Sequence, residues 1–247
     1  MVYMNKIEID TLSMQHIDIV ILCGGEGKRL RSITGDRPKS MAEIGGKPFL
    51  ELLIDYFYNF GGKRFVLCTG YKSKFIEDYF QGRYCDRDIR IAKEDTPLDT
   101  GGAVLNALTL IQSDSFMLLN GDSFCRIIPS DLIESHLSKD ALATVALTKV
   151  ENVKRYGLVK LDREGRIIEF SEKSVSAGSG WINAGIYLMR KEVFSCFDKE
   201  QTIFSIEYDL LPKLIGKGLF GLKVNDPFFI DIGTPESFQK AQSLRWT

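Results

Sequence analysis

Residues 17–30 read IDIVILCGGEGKRL. Ile17–Cys23 is an apolar run rich in β-branched side chains. Such a run suits a strand buried on both faces, as an inner strand of a parallel sheet is. Gly24-Gly25-Glu26-Gly27 then forces a tight turn. Outward from this point, strand and helix patterns alternate. Apolar residues at 49, 50, 53, 54, 57 and 60 have helical spacing, and Gly61-Gly62 supplies the stop. Phe65–Thr69 predicts a strand, Lys74–Phe80 a helix, Ile89–Ala92 a strand, Gly102–Ile111 a helix and Phe116–Leu119 another buried strand. This order implies a parallel sheet with helices on both faces. After about residue 140 the strands shorten and turn residues separate them. Ala141–Val150, Gly157–Leu161, Ile167–Phe170 and Ile182–Met189 predict an antiparallel layer appended to that sheet. A helix over Ile206–Ile215 is expected, with Pro212 limiting its length. Phe228–Ile232 predicts a last strand and Pro235–Arg245 a closing helix.

The chain has 247 residues, and no linker, repeat or charge block divides it. One α/β domain over 16–247 is expected, with residues 1–15 as an N-terminal extension. Net charge is −1, which argues against non-specific attraction to nucleic acid or an anionic membrane. No apolar run reaches the ~18–20 residues of a membrane span, and Met1–Asp18 lacks the pattern of a secretory signal. The five Cys are scattered without a CxxC pair, so neither a disulfide framework nor a zinc site is expected, and a cytoplasmic setting fits. His16 and His136 are the only histidines, and neither lies near a nucleophile elbow.

Gly24–Ser40 carries five basic residues against two acidic ones. A P-loop fails here because Leu22 stands at its first glycine and Arg29 follows Lys28. A dinucleotide fingerprint fails because Leu30 stands at its third glycine. What remains is a glycine turn at the carboxyl end of a strand, where backbone N–H groups can approach phosphate closely. Arg clamps phosphate oxygens bidentately and Lys supplies a point charge.

The pattern Gly24-Gly25-x-Gly27-x-Arg29-Leu30, Thr34 and Pro38-Lys39 resembles the signature of sugar-1-phosphate nucleotidyltransferases. Leu98–Ala103 (LDTGGA), Leu119–Asp122 (LNGD), Glu172-Lys173, Asn183–Tyr187 (NAGIY) and Phe229–Gly233 (FIDIG) resemble further family motifs, in the family's order. Within the family, the chain looks most like the guanylyltransferases of D-glycero-D-manno-heptose 1-phosphate. The resemblance implies a Rossmann-like, mostly parallel sheet with a small antiparallel layer. It divides the domain into a nucleotide-binding part, about 16–140, and a sugar-phosphate-binding part, about 141–247. It implies Arg29, Lys39 and Lys173 as catalytic residues. Leu22, Gly24, Gly25, Gly27, Glu94, Asp99, Thr100 and Gly102 are implied at the nucleotide. Asn120, Tyr156, Gly157, Glu172 and Asn183 are implied at the sugar phosphate. Asp122 and Asp231 are implied as ligands of Mg2+, which takes carboxylate oxygens together with substrate phosphates.

The implied substrates are GTP and heptose 1-phosphate, and the product GDP-heptose would serve capsule or lipopolysaccharide biosynthesis. Another sugar 1-phosphate or nucleobase stays open, as does a homo-oligomer. The attacking phosphate oxygen is already anionic, so no general base is needed, which agrees with the scarcity of histidine. The obstacle is bringing two polyanions together, and it is met by positioning and charge neutralisation. One departure from the family stands out: Asp99 occupies the place of a glycine. A carboxylate there can accept from both N1–H and the 2-amino group of guanine, or it can cap the helix that follows. A glycosyltransferase acting on nucleotide sugars is less favoured, because Asn120–Ser123 contains no DxD pattern. A non-catalytic binding module is the remaining alternative, and the joint presence of Arg29, Lys39, Asp122, Lys173 and Asp231 argues against it.

Overall fold

Ile19, Val20 and Ile21 are all fully buried, so strand β1 (Asp18–Leu22) is covered on both faces. Ile19 and Ile21 point into one core with Phe49, Leu53 and Phe57 of the helix Phe49–Asn59. Val20 points into a second core with Val104 and Ala107 of the helix Asp99–Ala107. The period-2 alternation of a strand therefore serves two helical layers. The computed structural model describes residues 14–153, 156–171, 178–197, 201–226, 228–244 and 246.

A small hairpin, β2 (Glu43–Ile44) and β3 (Lys47–Pro48), leads into the helix Phe49–Asn59. Strands β4 (Arg64–Thr69), β5 (Asp88–Lys93) and β6 (Ser115–Asn120) join β1 in the parallel order β6-β1-β4-β5. The helix Ser73–Phe80 lies between β4 and β5, and the helix Asp99–Ala107 between β5 and β6. Strand β7 (Ser123–Cys125) and the helix Pro129–Ser138 follow, then β8 (Ala143–Val150), β9 (Leu158–Leu161), β10 (Ile167–Ser171) and β11 (Gly180–Arg190). Strand β11 runs antiparallel to β6, β8 and β9, and β12 (Leu219–Lys223) runs parallel to β8. The antiparallel strands therefore extend the same sheet, of nine strands among the described residues. Strand β13 (Phe229–Asp231) leaves that sheet and pairs with β7, setting Asp231 opposite Ser123.

Buried Asp18 ties the amino ends of three strands together. Its carboxylate accepts from Arg64 Nε at 2.9 Å, from Gln112 N at 3.0 Å and from Ser113 N at 2.6 Å. Burial pushes its pKa up, but the bonds from Arg64 and Ser113 outweigh this and hold it below the ordinary value. Of the expected extension, residues 1–13 lie outside the described residues. Met14 is fully buried in the core, and the Gln15 carbonyl accepts from Arg64.

The segment expected as one helix over 206–215 is a π-helical turn, Ile206–Leu210, followed by the helical turn Leu211–Leu214. The break suits Pro212, which has no N–H to continue a helix and sits in the first turn of the second piece. The helix expected from Gly102 begins earlier, at Asp99, and gives way to turns after Ala107. Among the described residues, no helix is long and apolar enough to cross a membrane.

Candidate active site

Where β1 ends, its neighbours hold the chain on both sides. Gly121 N donates to the Leu22 carbonyl at 2.9 Å, and Cys23 N to the Cys68 carbonyl at 2.9 Å. Gly24 then passes so close to β4 and β5 that a Cβ would lie 3.0 Å from both Glu94 Oε1 and Gly70 N. The Gly24 carbonyl accepts from Tyr71 N at 3.0 Å. Gly27 has a φ of +61°, and a Cβ on it would stand 2.6 Å from Lys39 Cβ. This glycine gives the Lys39 stem its path.

The result is a cleft of about 600 Å³ at the carboxyl ends of β1, β4, β5 and β6. Leu22, Gly24, Gly25, Lys39, Glu94, Asp99, Thr100, Asn120 and Asp122 all line it, together with Tyr71 and Ser40, which the sequence does not single out. This is where open parallel sheets place ligands. Lys39 Nζ donates to Asp122 Oδ2 at 2.5 Å, with the lysine side chain only 14% exposed. The β7–β13 pair brings in the second carboxylate, since Ile232 N donates to the Asp122 carbonyl at 2.9 Å. Asp231 Oδ1 accepts from Gly233 N at 2.7 Å, and its Oδ2 from the Tyr156 hydroxyl at 2.6 Å. A Cβ on Gly233 would lie 2.6 Å from Asp231 Oδ1 and 3.4 Å from Lys39 Nζ, so both charges border one small space.

This donor set fits a hard divalent cation. The Lys39 ammonium lies against the Asp122 carboxylate, and the Asp231 carboxylate borders the space beside that ammonium. Among the described residues no group of three or more His, Cys, Asp or Glu forms a closed cage. Mg2+ is commonly held by one or two carboxylates plus substrate phosphates.

Other expected residues lie apart from the cleft wall. Arg29 is exposed on the 3-10 turn Lys28–Leu30. Gly102 N donates to the Phe204 carbonyl at 3.2 Å, and a Cβ on it would come 2.1 Å from the Thr202 carbonyl oxygen. Its role in the structure is close packing against the 202–204 segment. Asn183 lies on β11, where its Nδ2 donates to the Tyr187 hydroxyl at 2.7 Å, and Gly157 is exposed just before β9. Glu172 and Lys173 fall outside the described residues, as do the side chains of Lys28 and Thr34.

Asp99 has a φ of +60°, the left-handed region where glycine is at ease. Its Oδ1 accepts from Thr100 N at 2.6 Å, a bond to the next residue only, so no side-chain cap of the expected kind forms, and the side chain stays exposed at the cleft. Burial, and then the Asp99 charge, push the Glu94 carboxyl above its ordinary value, against the bond from Leu98 N.

The remaining titratable groups near the cleft offer no nucleophile. Burial pushes the Cys68 thiol up to about 12 and the Cys23 thiol well above its usual range. Neither histidine lines the cleft; His16 is exposed and His136 is buried on the helix Pro129–Ser138.

A family model described as nucleotidyl transferase matches residues 18–245. A D-glycero-alpha-D-manno-heptose 1-phosphate guanylyltransferase from Aneurinibacillus thermoaerophilus is 38% identical over 92% of this chain and 97% of its own length. A protein of the same description from Campylobacter jejuni is 38% identical over 89% of this chain and 96% of its own. The crystal structure of HddC from Yersinia pseudotuberculosis complexed with GMP-PN superposes with a TM-score of 0.80 at 36% identity, covering 92% of this chain and 98% of that one.

Proposed function

The chain belongs to the nucleotidyl transferase family, and from that premise we propose that it joins GTP to D-glycero-alpha-D-manno-heptose 1-phosphate, giving GDP-heptose and pyrophosphate. The observation that carries the reading is the bond from Lys39 to Asp122 in the cleft wall, with Asp231 bordering the space beside the Lys39 ammonium and the Gly25 position open alongside. Relatives of near full length carry the choice of heptose, and the GMP-PN complex of HddC supports a guanosine nucleotide.

A phosphate oxygen of the sugar 1-phosphate attacks the α-phosphorus in line. The P–O bond to the β-phosphate breaks, and the electron pair leaves on pyrophosphate. The nucleophile carries its own negative charge, so this chain's residues position groups and offset charge. The backbone N–H at Gly25 can approach the triphosphate, because beyond its chain neighbours nothing lies within 4 Å of the space a Cβ would fill there. Lys39 balances the triphosphate and the charge developing on the leaving pyrophosphate, and Arg29, exposed on the turn outside the cleft wall, is assigned to the same charge by the family resemblance. Asp122 and Asp231 would hold Mg2+, which supplies further charge neutralisation when bound. Glu172 and Lys173 are assigned to the sugar hydroxyls and the incoming phosphate, with Asn120, Tyr156 and Asn183 on the sugar side. GDP-heptose made in the cytoplasm would serve as donor for a surface polysaccharide.

The test is a matrix of GTP, UTP, CTP and dTTP against heptose, mannose, glucose and amino-sugar 1-phosphates, with pyrophosphate detection, each with Mg2+ and with a chelator. GTP with heptose 1-phosphate should give the highest kcat/KM, and chelation should abolish it. Higher turnover with another pair would reassign the substrates. An absence of pyrophosphate in every cell of the matrix would remove the reaction.

A further inference from the structure

Glu207 lies on the π-helical turn Ile206–Leu210, in the stretch over 206–215 expected from the sequence to be one helix. Its Oε2 accepts from Thr100 Oγ1 at 3.0 Å and from Ser205 Oγ at 3.1 Å. Its Oε1 accepts from the Tyr187 hydroxyl at 3.0 Å. One carboxylate thus collects three hydroxyl donors from three segments. Thr100 stands in the cleft wall at the start of the helix Asp99–Ala107. Tyr187 is fully buried on β11, and its oxygen also accepts from Asn183 Nδ2 at 2.7 Å. Asn183 Oδ1 in turn accepts from Gly185 N at 2.9 Å, beside the break in the β8–β11 register.

The backbone strengthens the same connection. Ile206 N donates to Thr100 Oγ1 at 2.8 Å, and Gly101 N to the Phe204 carbonyl at 2.8 Å. The π-turn is therefore bonded on one side to the nucleotide helix and on the other, through Glu207 alone among these contacts, to the sugar-side strand. Hydrogen bonds to an ionised acceptor are the strong ones, and a chain of them fixes direction as well as distance. A π-turn inside a helical stretch often marks a functional position.

We propose that Glu207 is a positioning residue that locks the nucleotide wall and the sugar-side strand into one geometry, so that order at either subsite favours the other. This rests on the two-substrate reaction proposed above. In-line transfer needs both substrates placed together, and a misplacement of about 1 Å costs roughly 10²-fold. A tie across the two subsites supplies that placement without touching a reacting atom.

Tyr187→Phe and Glu207→Gln test it, with kcat, both KM values and Tm measured by pyrophosphate release and thermal melting. The phenylalanine keeps the buried ring and removes only the hydroxyl on the sugar side. It should nevertheless raise the KM for GTP about fivefold or more, the lower end of typical coupling between sites. The Tyr187→Phe/Glu207→Gln double variant should be little worse than Glu207→Gln alone, because both break one network. A merely structural Glu207 would lower Tm and leave the KM for GTP where it was. That result, or additive losses in the double variant, overturns the proposal. If Glu207→Gln does not fold, the GTP KM of Tyr187→Phe decides. Wild-type turnover in the same assay separates the two ideas. No turnover ends the reaction and the coupling together; normal turnover with an unmoved GTP KM ends only the coupling.

Discussion

Replacing Gly27 with alanine should damage catalysis far more than stability. Gly27 has a φ of +61°, and an alanine held there costs roughly 1–2 kcal/mol. For a domain of this size that is a Tm lower by about 2–8 °C. The added methyl would stand 2.6 Å from Lys39 Cβ and 3.2 Å from its Cγ, and ordinary contact begins at 3.4 Å. The lysine stem must therefore retreat by close to 1 Å, and its ammonium sits only 2.5 Å from Asp122. A displacement of about 1 Å at a positioned group costs about 10²-fold in rate. Pyrophosphate release from GTP and heptose 1-phosphate should fall by that factor, with folding retained by circular dichroism. Gly25→Ala is the stability control, since a Cβ there meets nothing within 4 Å, and its Tm should be unchanged. Wild-type turnover in Gly27→Ala would show that the glycine does not set the Lys39 position that transfer needs.

Four further outcomes are expected. Asp122→Asn should cut turnover at least ~10²-fold, the cost of one lost electrostatic contact to the transition state, and weaken Mg2+ activation; near-normal kinetics would contradict its assignment. Asp99→Gly removes the carboxylate at a backbone position glycine prefers, so Tm should hold while the GTP-to-UTP preference in kcat/KM falls at least about fivefold by the worth of a bidentate base contact, about 1–3 kcal/mol; an unchanged ratio would remove Asp99 from base selection. Burial, then the Arg190 charge, press the pKa of His136 down to about 4 from an ordinary 6.5. The folded state thus prefers the neutral ring, and this contribution is complete above about pH 6.5 and is lost toward pH 4, by about 1.4 kcal/mol per unit; His136→Leu should flatten that acid limb in pH-dependent melting, and parallel limbs would refute it. Asp18→Asn should destabilise by about 3 kcal/mol in urea titration, because Arg64 then faces a buried site without its counter-charge; a loss under about 1 kcal/mol would show the pair is dispensable.

The strand Ile17–Cys23 and the glycine turn after it were legible because their signals are local. An unbroken apolar run has to be covered on both faces, and three glycines in four positions have to turn. The parallel sense of β1, β4, β5 and β6 followed from alternation with helices, while their order in the sheet came only from the structure. The helix Pro129–Ser138 and strand β12 escaped the reading. Pro129–Ser138 mixes buried Leu132, Ile133 and His136 with polar residues at nearly every other position. The run Leu219–Lys223 is too short to declare its partner. The π-turn at Ile206–Leu210 is likewise decided by bonds to Thr100, far away in sequence.

For the site, the chain of amino acids determined the inventory: a basic glycine turn, two acids at strand ends, and almost no histidine. Folding decided which of these share a space. Strand β13 leaves the main sheet for β7 and so carries Asp231 to Asp122. Gly102 is drawn away from the cleft to pack against Thr202 and Phe204. Glu207 gains Thr100 and Tyr187 as partners from segments that meet only once the sheet is assembled. Periodicity and turn chemistry act over a few residues and can be read along the chain. Pairing between distant strands depends on which surfaces bury each other best, and that is settled only in three dimensions.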